Sequence, residues 1–228
     1  MIDALEALAT TRAIRRYSDE PVANEDLNTI LWHASRAPSG SNRQPFRFLA
    51  VTSGSVADEV KGVLGDSFRR GWAAKLLNDG YQTGSGADPN SPKSRQAATM
   101  QHYVDNIEKV PVIVLACLIR YREASPTEGA SIYPACQNLL VAARALGYGG
   151  ALTMWHQAVD ERLRSLLEIP DEATISACIT LGRPLGSHGP VRRRPIGELV
   201  FENKWGSSPV WTVDPPDAKF TSAGPKKA

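Results

Sequence analysis

The longest apolar run in the chain, residues 110–119, is ten residues long and contains Pro111. A helix crossing a bilayer needs about 20 such residues, so this run cannot span one. Its apolarity is continuous rather than alternating, which predicts a strand buried on both faces, in the interior of a sheet covered from two sides. Residues 174–181 read as a second buried strand, and residues 46–52 as a third, bounded by Ser53 and Gly54.

Helical periodicity fills the intervals. Asp3 precedes Ala4, Leu5, Leu8 and Ala9, spaced close to the helical repeat. Asn24 is placed to cap a second helix in which Leu27, Ile30, Leu31 and Ala34 share a face, and that segment ends before Pro38. Residues 55–80 read as helical, with Val56, Val60, Val63 and Leu64 on one side. Residues 131–146 form another helix, stopped by Gly147, and residues 159–168 a short one ended before Pro170. Residues 149–155 are extended. Residues 84–96, rich in Gly, Ser, Pro and Asn, read as an irregular insertion. Two helices precede the first strand, so an α+β sandwich fits better than a doubly wound parallel sheet. The expected organisation is one domain over residues 1–205 and a tail, 206–228, either flexible or wrapped on a partner.

Charge and motifs exclude several classes. With 26 Lys plus Arg against 24 Asp plus Glu, the net charge is +2. No basic face of the kind nucleic acid requires is expected. Phosphate-loop, H-E-x-x-H, G-x-S-x-G and G-x-G-x-x-G motifs are all missing. His33, His102, His156 and His188 lack ligand spacing, so no metal site is expected. Cys117, Cys136 and Cys178 each lie in apolar stretches and read as buried reduced thiols. The first residues lack the pattern of a signal peptide, so a cytoplasmic protein without membrane association is expected.

Three clusters remain. Residues 11–17 place Arg12, Arg15 and Arg16 among the apolar anchors Ile14 and Tyr17. Guanidinium groups keep their charge and present paired donors suited to phosphate. Residues 37–45 set Ser39, Ser41, Asn42, Arg43 and Gln44 between Pro38 and Pro45, a loop able to cradle polar oxygens or to serve as an ordinary turn. Arg192, Arg193 and Arg194 form the third, which alone reads as a surface patch.

In order and spacing these segments resemble the FMN-dependent nitroreductase family. The likeness is carried by residues 12–17, Pro21 and Val22, residues 37–46, the glycines Gly147, Gly149 and Gly150, then Gly182 and Pro184, and residues 193–196. It spans roughly residues 2–200. This chain has Thr11 where many relatives carry Arg, and Ala13 where they carry Ser, leaving Arg16 or Arg192 to substitute. The resemblance implies an intertwined homodimer with a mainly antiparallel central sheet flanked by helices, and FMN at the subunit interface. It implies that Arg12, Ala13 and Arg15 hold the phosphate, ribityl chain and pyrimidine edge, with Arg193 reaching the same phosphate. It places Pro38, Ser39, Ser41, Asn42 and Gln44 against the flavin of the other subunit, and Leu152, Thr153 and Met154 beside the isoalloxazine ring.

The implied reaction passes hydride from NADH or NADPH through flavin N5 to nitroaromatics, quinones or related small acceptors, in ping-pong order, with no acid–base dyad. Other readings keep the fold. One changes the flavin chemistry to reductive dehalogenation, flavin fragmentation or ring dehydrogenation; another is a non-catalytic flavin store; a deazaflavin is an alternative electron donor.

Overall fold

The computed structural model describes residues 2–221. Helices α1 (Ala4–Thr10) and α2 (Asn24–Ala34) precede strand β1 (Phe46–Val51). Helices α3 (Ser55–Asn78) and α4 (Pro92–Asp105) lead into β2 (Val112–Ile119). Then come α5 (Tyr133–Ala145), β3 (Gly149–Thr153), α6 (Asp160–Leu167) and β4 (Ala173–Gly182), followed by the two-residue strands β5 (Arg192–Arg193) and β6 (Lys219–Phe220).

The four long strands form one sheet in the order β1-β2-β4-β3, with every neighbouring pair antiparallel. The expected α+β architecture with a mainly antiparallel, helix-flanked sheet is therefore found. Side-chain alternation along β2 sends Ile113, Leu115 and Cys117 into a core with Val60, Leu64 and Phe68 of α3 and Tyr103 of α4. Val112, Val114, Ala116 and Leu118 enter a second core, against Leu27 and Ile30 of α2 and Leu139 and Ala143 of α5. This two-sided burial is the physical reason for the unbroken apolar run. Each full burial of a large aliphatic or Phe side chain contributes about 1.5–3 kcal/mol, so the sheet is what holds both helical layers in place. Register slips between Ala116 and Cys117 of β2, leaving Ser176 of β4 without a direct partner, a bulge in an otherwise regular ladder.

Local chemistry explains most boundaries and corrects three of them. Asp3 caps α1 by accepting from the Glu6 N–H at 2.8 Å. Asn24 is not a cap: Ala23 holds that position without a side-chain bond, and Asn24 opens the helix. The 84–96 insertion is only partly irregular. It holds a short 3-10 turn at Gly84–Ala87, and its last residues are the first turn of α4, where Ser91 Oγ accepts from the Ser94 N–H at 3.0 Å and Pro92 occupies a position that needs no donor. The extended 149–155 segment ends at Thr153, and Trp155–Val159 tightens into a 3-10 turn.

The tail returns along the main body. β6 pairs in parallel with β5, and the Thr221 N–H donates to the Arg193 carbonyl at 2.9 Å. Residues 222–228 of the expected tail lie outside the described residues. Among the described residues no helix is long and apolar enough to cross a membrane.

Candidate active site

β3 is an edge strand, and the arginine segment docks on its open side. Ala13 forms a parallel bridge with Gly150, and the Ile14 N–H donates to the Gly150 carbonyl at 2.9 Å. Gly149 makes this approach possible, and Gly150 the close pairing of β3 with β4 on its other side. A Cβ on Gly149 would stand 2.4 Å from Ile14 Cγ1, and one on Gly150 would stand 2.5 Å from the Thr180 carbonyl oxygen. Beyond Gly150 the outer edge of β3 has no strand partner among the described residues, so its backbone donors and acceptors face a cleft.

Tyr17 locks the other end of the segment. Its hydroxyl donates to the Ile14 carbonyl at 2.5 Å and lies 2.8 Å from Thr180 Oγ1, which in turn lies 2.9 Å from the Tyr103 hydroxyl. Hydroxyl hydrogens can run from Tyr103 to Thr180 to Tyr17 to the backbone, each strengthening the next. Burial pushes both phenols well above their ordinary range, so they serve as neutral donors. The anchoring role expected for Ile14 and Tyr17 is thus explicit: both ends of the segment are bonded to the sheet, and Arg15 between them is aimed.

Arg15 lines a cleft of about 140 Å³ with Leu152 and Thr153 of β3, walled by Trp72, Tyr103 and Trp155. The walls are braced from behind: Trp72 Nε1 donates to Gln101 at 2.9 Å, and Phe68 meets Trp155 edge-on at 5.5 Å. Arg15 also borders an adjoining cleft of about 180 Å³ with Tyr17 and Lys109. Among the described residues Arg12, Arg15 and Arg193 make no ion pair, in contrast to Arg120, Arg164 and Arg183. Of Arg12, Arg15 and Arg193 only Arg15 lines the aromatic cleft, and a guanidinium left without a carboxylate there suits an anionic, planar ligand. Small-molecule sites occupy roughly 300–1,000 Å³, and each of the two clefts that Arg15 borders is smaller than that.

The loop over residues 38–45 lies elsewhere, beside a separate cleft of about 360 Å³. Ser41, Asn42 and Gln44 take left-handed backbone conformations, with φ of 52°, 52° and 50°. Each costs a residue with a side chain about 1 kcal/mol, and such strain gathers at functional sites. Side chains hold the loop in that state: Ser39 Oγ accepts from the Gln44 N–H at 2.9 Å, and Gln44 Nε2 donates to Asn42 Oδ1 at 3.1 Å.

Residues 8–183 match the model of the nitroreductase family. The chain belongs to that family. Among its relatives is a protein of Methanothermobacter thermautotrophicus assigned as an NADH dehydrogenase/NAD(P)H nitroreductase, 26% identical over 193 residues, covering 82% of this chain and 81% of the relative. Another is the 5,6-dimethylbenzimidazole synthase of Rhodospirillum rubrum, 27% identical over 209 residues, covering 86% and 87%. A Desulfovibrio desulfuricans protein assigned as a nitroreductase and solved in complex with FMN is 27% identical, with a TM-score of 0.64 over 90% of this chain and 99% of that one.

Within this nitroreductase-family chain, the expected site residues fall into three places. Arg15, Leu152 and Thr153 meet at one cleft. Ala13 reaches the same strand through its backbone, while Met154 follows β3 and packs against the α2/α5 core. Pro38, Ser39, Ser41, Asn42 and Gln44 form the separate strained loop. Arg193 stands exposed on β5, beyond the family-matched segment. The Val191 N–H reaches the Ala9 carbonyl at 3.5 Å, which returns this late strand to the end of α1 just before Arg12.

Sequence reading missed the aromatic walls Trp72, Tyr103 and Trp155. His188, expected to be no metal ligand, lines neither cleft that Arg15 borders. Its Nε2–H donates to the Tyr148 carbonyl at 3.1 Å, and burial, then the nearby Arg144, hold its pKa below the ordinary value. The cysteines are buried as expected. Burial pushes Cys117 up to about 11 and Cys136 and Cys178 up to about 12, so none is a nucleophile at neutral pH. No group of His, Cys, Asp or Glu among the described residues is arranged to hold a metal ion.

Proposed function

We propose that the chain is an FMN-dependent oxidoreductase that takes hydride from NADH or NADPH and delivers it, in ping-pong order, to small acceptors such as nitroaromatics or quinones. The observation that carries this reading is a pair of separate features: a cleft on the open edge of β3 walled by aromatic side chains and Arg15, and a strained polar loop that lines a different cleft and shares no lining residue with the first. A homodimer joins the two halves. FMN, when bound, supplies hydride acceptance and release at N5.

The chain's own residues bind and orient it. Arg12 and Arg193 take the phosphate, and Ala13 lets the backbone approach the ribityl chain. Arg15 sets a fixed positive charge at the pyrimidine edge, where negative charge develops on reduction. Leu152 and Thr153 on the open β3 edge, and the backbone of Met154 just after it, offer polar groups to the rim of the ring. Pro38, Ser39, Ser41, Asn42 and Gln44 of a second copy close the opposite side and exclude water.

Exposed apolar side chains support the dimer. Leu5 of α1 is 78% exposed, and Trp205, just before the tail, and Trp211 within it are 93% and 63% exposed. Monomers rarely leave such groups uncovered together. Three free buried cysteines fit a reducing, cytoplasmic setting.

The Rhodospirillum relative favours a second reading, fragmentation of the flavin itself. One experiment separates them. The purified protein is mixed anaerobically with NADH or NADPH, and then a nitroaromatic or oxygen is admitted. The proposal expects the flavin absorbance to bleach and then return in full. Irreversible loss with oxygen indicates fragmentation, and no bleaching with either nucleotide rejects the assigned donor.

A further inference from the structure

The segment between β2 and α5 is built as one unit with the strained loop. The Gly40 N–H donates to Ser131 Oγ at 3.3 Å, and the Arg43 guanidinium lies over the Tyr121 ring at 4.4 Å. Arg122 approaches the same ring at 5.5 Å. The excursion is pinned at its base: the Arg120 N–H donates to the Glu172 carbonyl at 2.8 Å, and its guanidinium holds Glu128 with two bonds of 3.0 and 2.6 Å. Wherever the loop goes, Tyr121 and its two arginines go too.

Arg43, Arg120 and Arg122 stand against Glu123 and Glu128, so this rim carries a net charge of +1. Arg120 and Glu128 cancel each other. Arg43 and Arg122 are exposed and make no ion pair among the described residues. Their contacts with Tyr121 contribute about 0.5–1 kcal/mol each at an exposed site and narrow the conformations the guanidinium groups sample. Pre-organised guanidinium groups lose less freedom on meeting an anion. Arg122 lines a cleft with Pro38, Ser39 and Tyr121, and Arg43 reaches that cleft's Tyr121 ring.

We infer that Arg43 and Arg122, held around the Tyr121 ring, receive the phosphate groups of the reduced dinucleotide that reduces the flavin. The inference rests on the function proposed above, which carries the 38–45 loop to a flavin. Nitroaromatic and quinone acceptors are largely uncharged, so among the reactants only the dinucleotide carries phosphates to match two free guanidinium groups. NADPH, with one phosphate more than NADH, depends on them more.

The test uses the FMN-loaded protein and three hydride donors: NADPH, NADH and 1-benzyl-1,4-dihydronicotinamide, which has no phosphate. Loss of a charge-assisted bond is worth roughly tenfold or more. In the double variant R43Q/R122Q, kcat/KM for NADPH relative to the benzyl donor is expected to fall at least tenfold, with a smaller fall for NADH. R43K/R122K, which keeps the charge, is expected to recover part of the loss, and raised salt is expected to weaken NADPH use in the wild type more than in R43Q/R122Q. An unchanged ratio, or an equal loss with all three donors, overturns the inference while leaving the flavin reading intact. A wild-type protein that carries FMN but is reduced by none of the donors overturns both, and its flavin content shows which step failed.

Discussion

Replacing Thr180 with Val tests whether the buried hydroxyl chain is what fixes the arginine segment. Thr180 is fully buried, and its hydroxyl is 2.8 Å from that of Tyr17 and 2.9 Å from that of Tyr103. Valine keeps the shape and removes both contacts. Tyr17 retains the Ile14 carbonyl, but Tyr103, only 2% exposed, loses its one partner among the described residues. Two neutral hydrogen bonds contribute about 1 kcal/mol each, and a buried donor left unpaired costs about 1–3 kcal/mol. The added methyl offsets about 0.8 kcal/mol of this. The expected net loss is about 2–4 kcal/mol, read from the urea midpoint at fixed protein concentration, with an unchanged slope. Tyr103→Phe alone costs about 1 kcal/mol, and the double variant falls short of the sum by about 2 kcal/mol or more, because the shared bond is lost only once and no donor is then stranded. A T180V loss under about 0.5 kcal/mol, or strict additivity, would refute the reasoning.

Arg15→Ala removes the aimed guanidinium; flavin content after dialysis and the anaerobic rate of flavin reduction should both drop by roughly tenfold or more, and unchanged values reject the assignment. Ser41→Gly relieves one left-handed backbone position and should hold or raise thermal stability by up to about 1 kcal/mol, whereas a loss of that size means the serine side chain is itself needed. His156 is fully buried and bonded to the Ile175 carbonyl at 3.0 Å, and burial holds its imidazole below the ordinary 6.5. The unfolded chain therefore takes up that proton first as pH falls. Its stabilising contribution is complete above about pH 6.5 and is lost below it, a window distinct from that of Glu128, whose carboxyl Arg120 holds low. Urea midpoints at about pH 7.5 and about pH 5.5 should differ less in His156→Gln than in the wild type; equal differences contradict this.

The fold was legible where burial leaves a periodic mark. The continuous run in β2 and the spaced apolar residues of α2 follow directly from which sides of each element are covered. The start of α4 was less so. Ser91 and Pro92 are a good helix opening, but they sit among Gly, Asn and Asp, and turn composition outweighed the signal. Asn24 shows the reverse, a favoured capping residue overruled because the chain enters the helix one residue earlier. At the site, Arg15 and Thr153 come together only through the docking of residues 12–17 on an edge strand, which no local pattern encodes. The aromatic walls come from three distant elements, and the left-handed conformations of Ser41, Asn42 and Gln44 depend on bonds inside the loop.

The central claim is that one site is assembled from two copies of the chain. Co-expression of differently tagged chains addresses it, one carrying Arg15→Ala and the other carrying Ser39→Ala together with Asn42→Ala. In a mixed dimer, one site then combines an intact Arg15 with an intact loop, and the other has neither. The account predicts weak FMN binding by each variant homodimer and recovery, in the purified heterodimer, of one tight site per two chains. Heterodimers that bind FMN no better than the parent variants would contradict it.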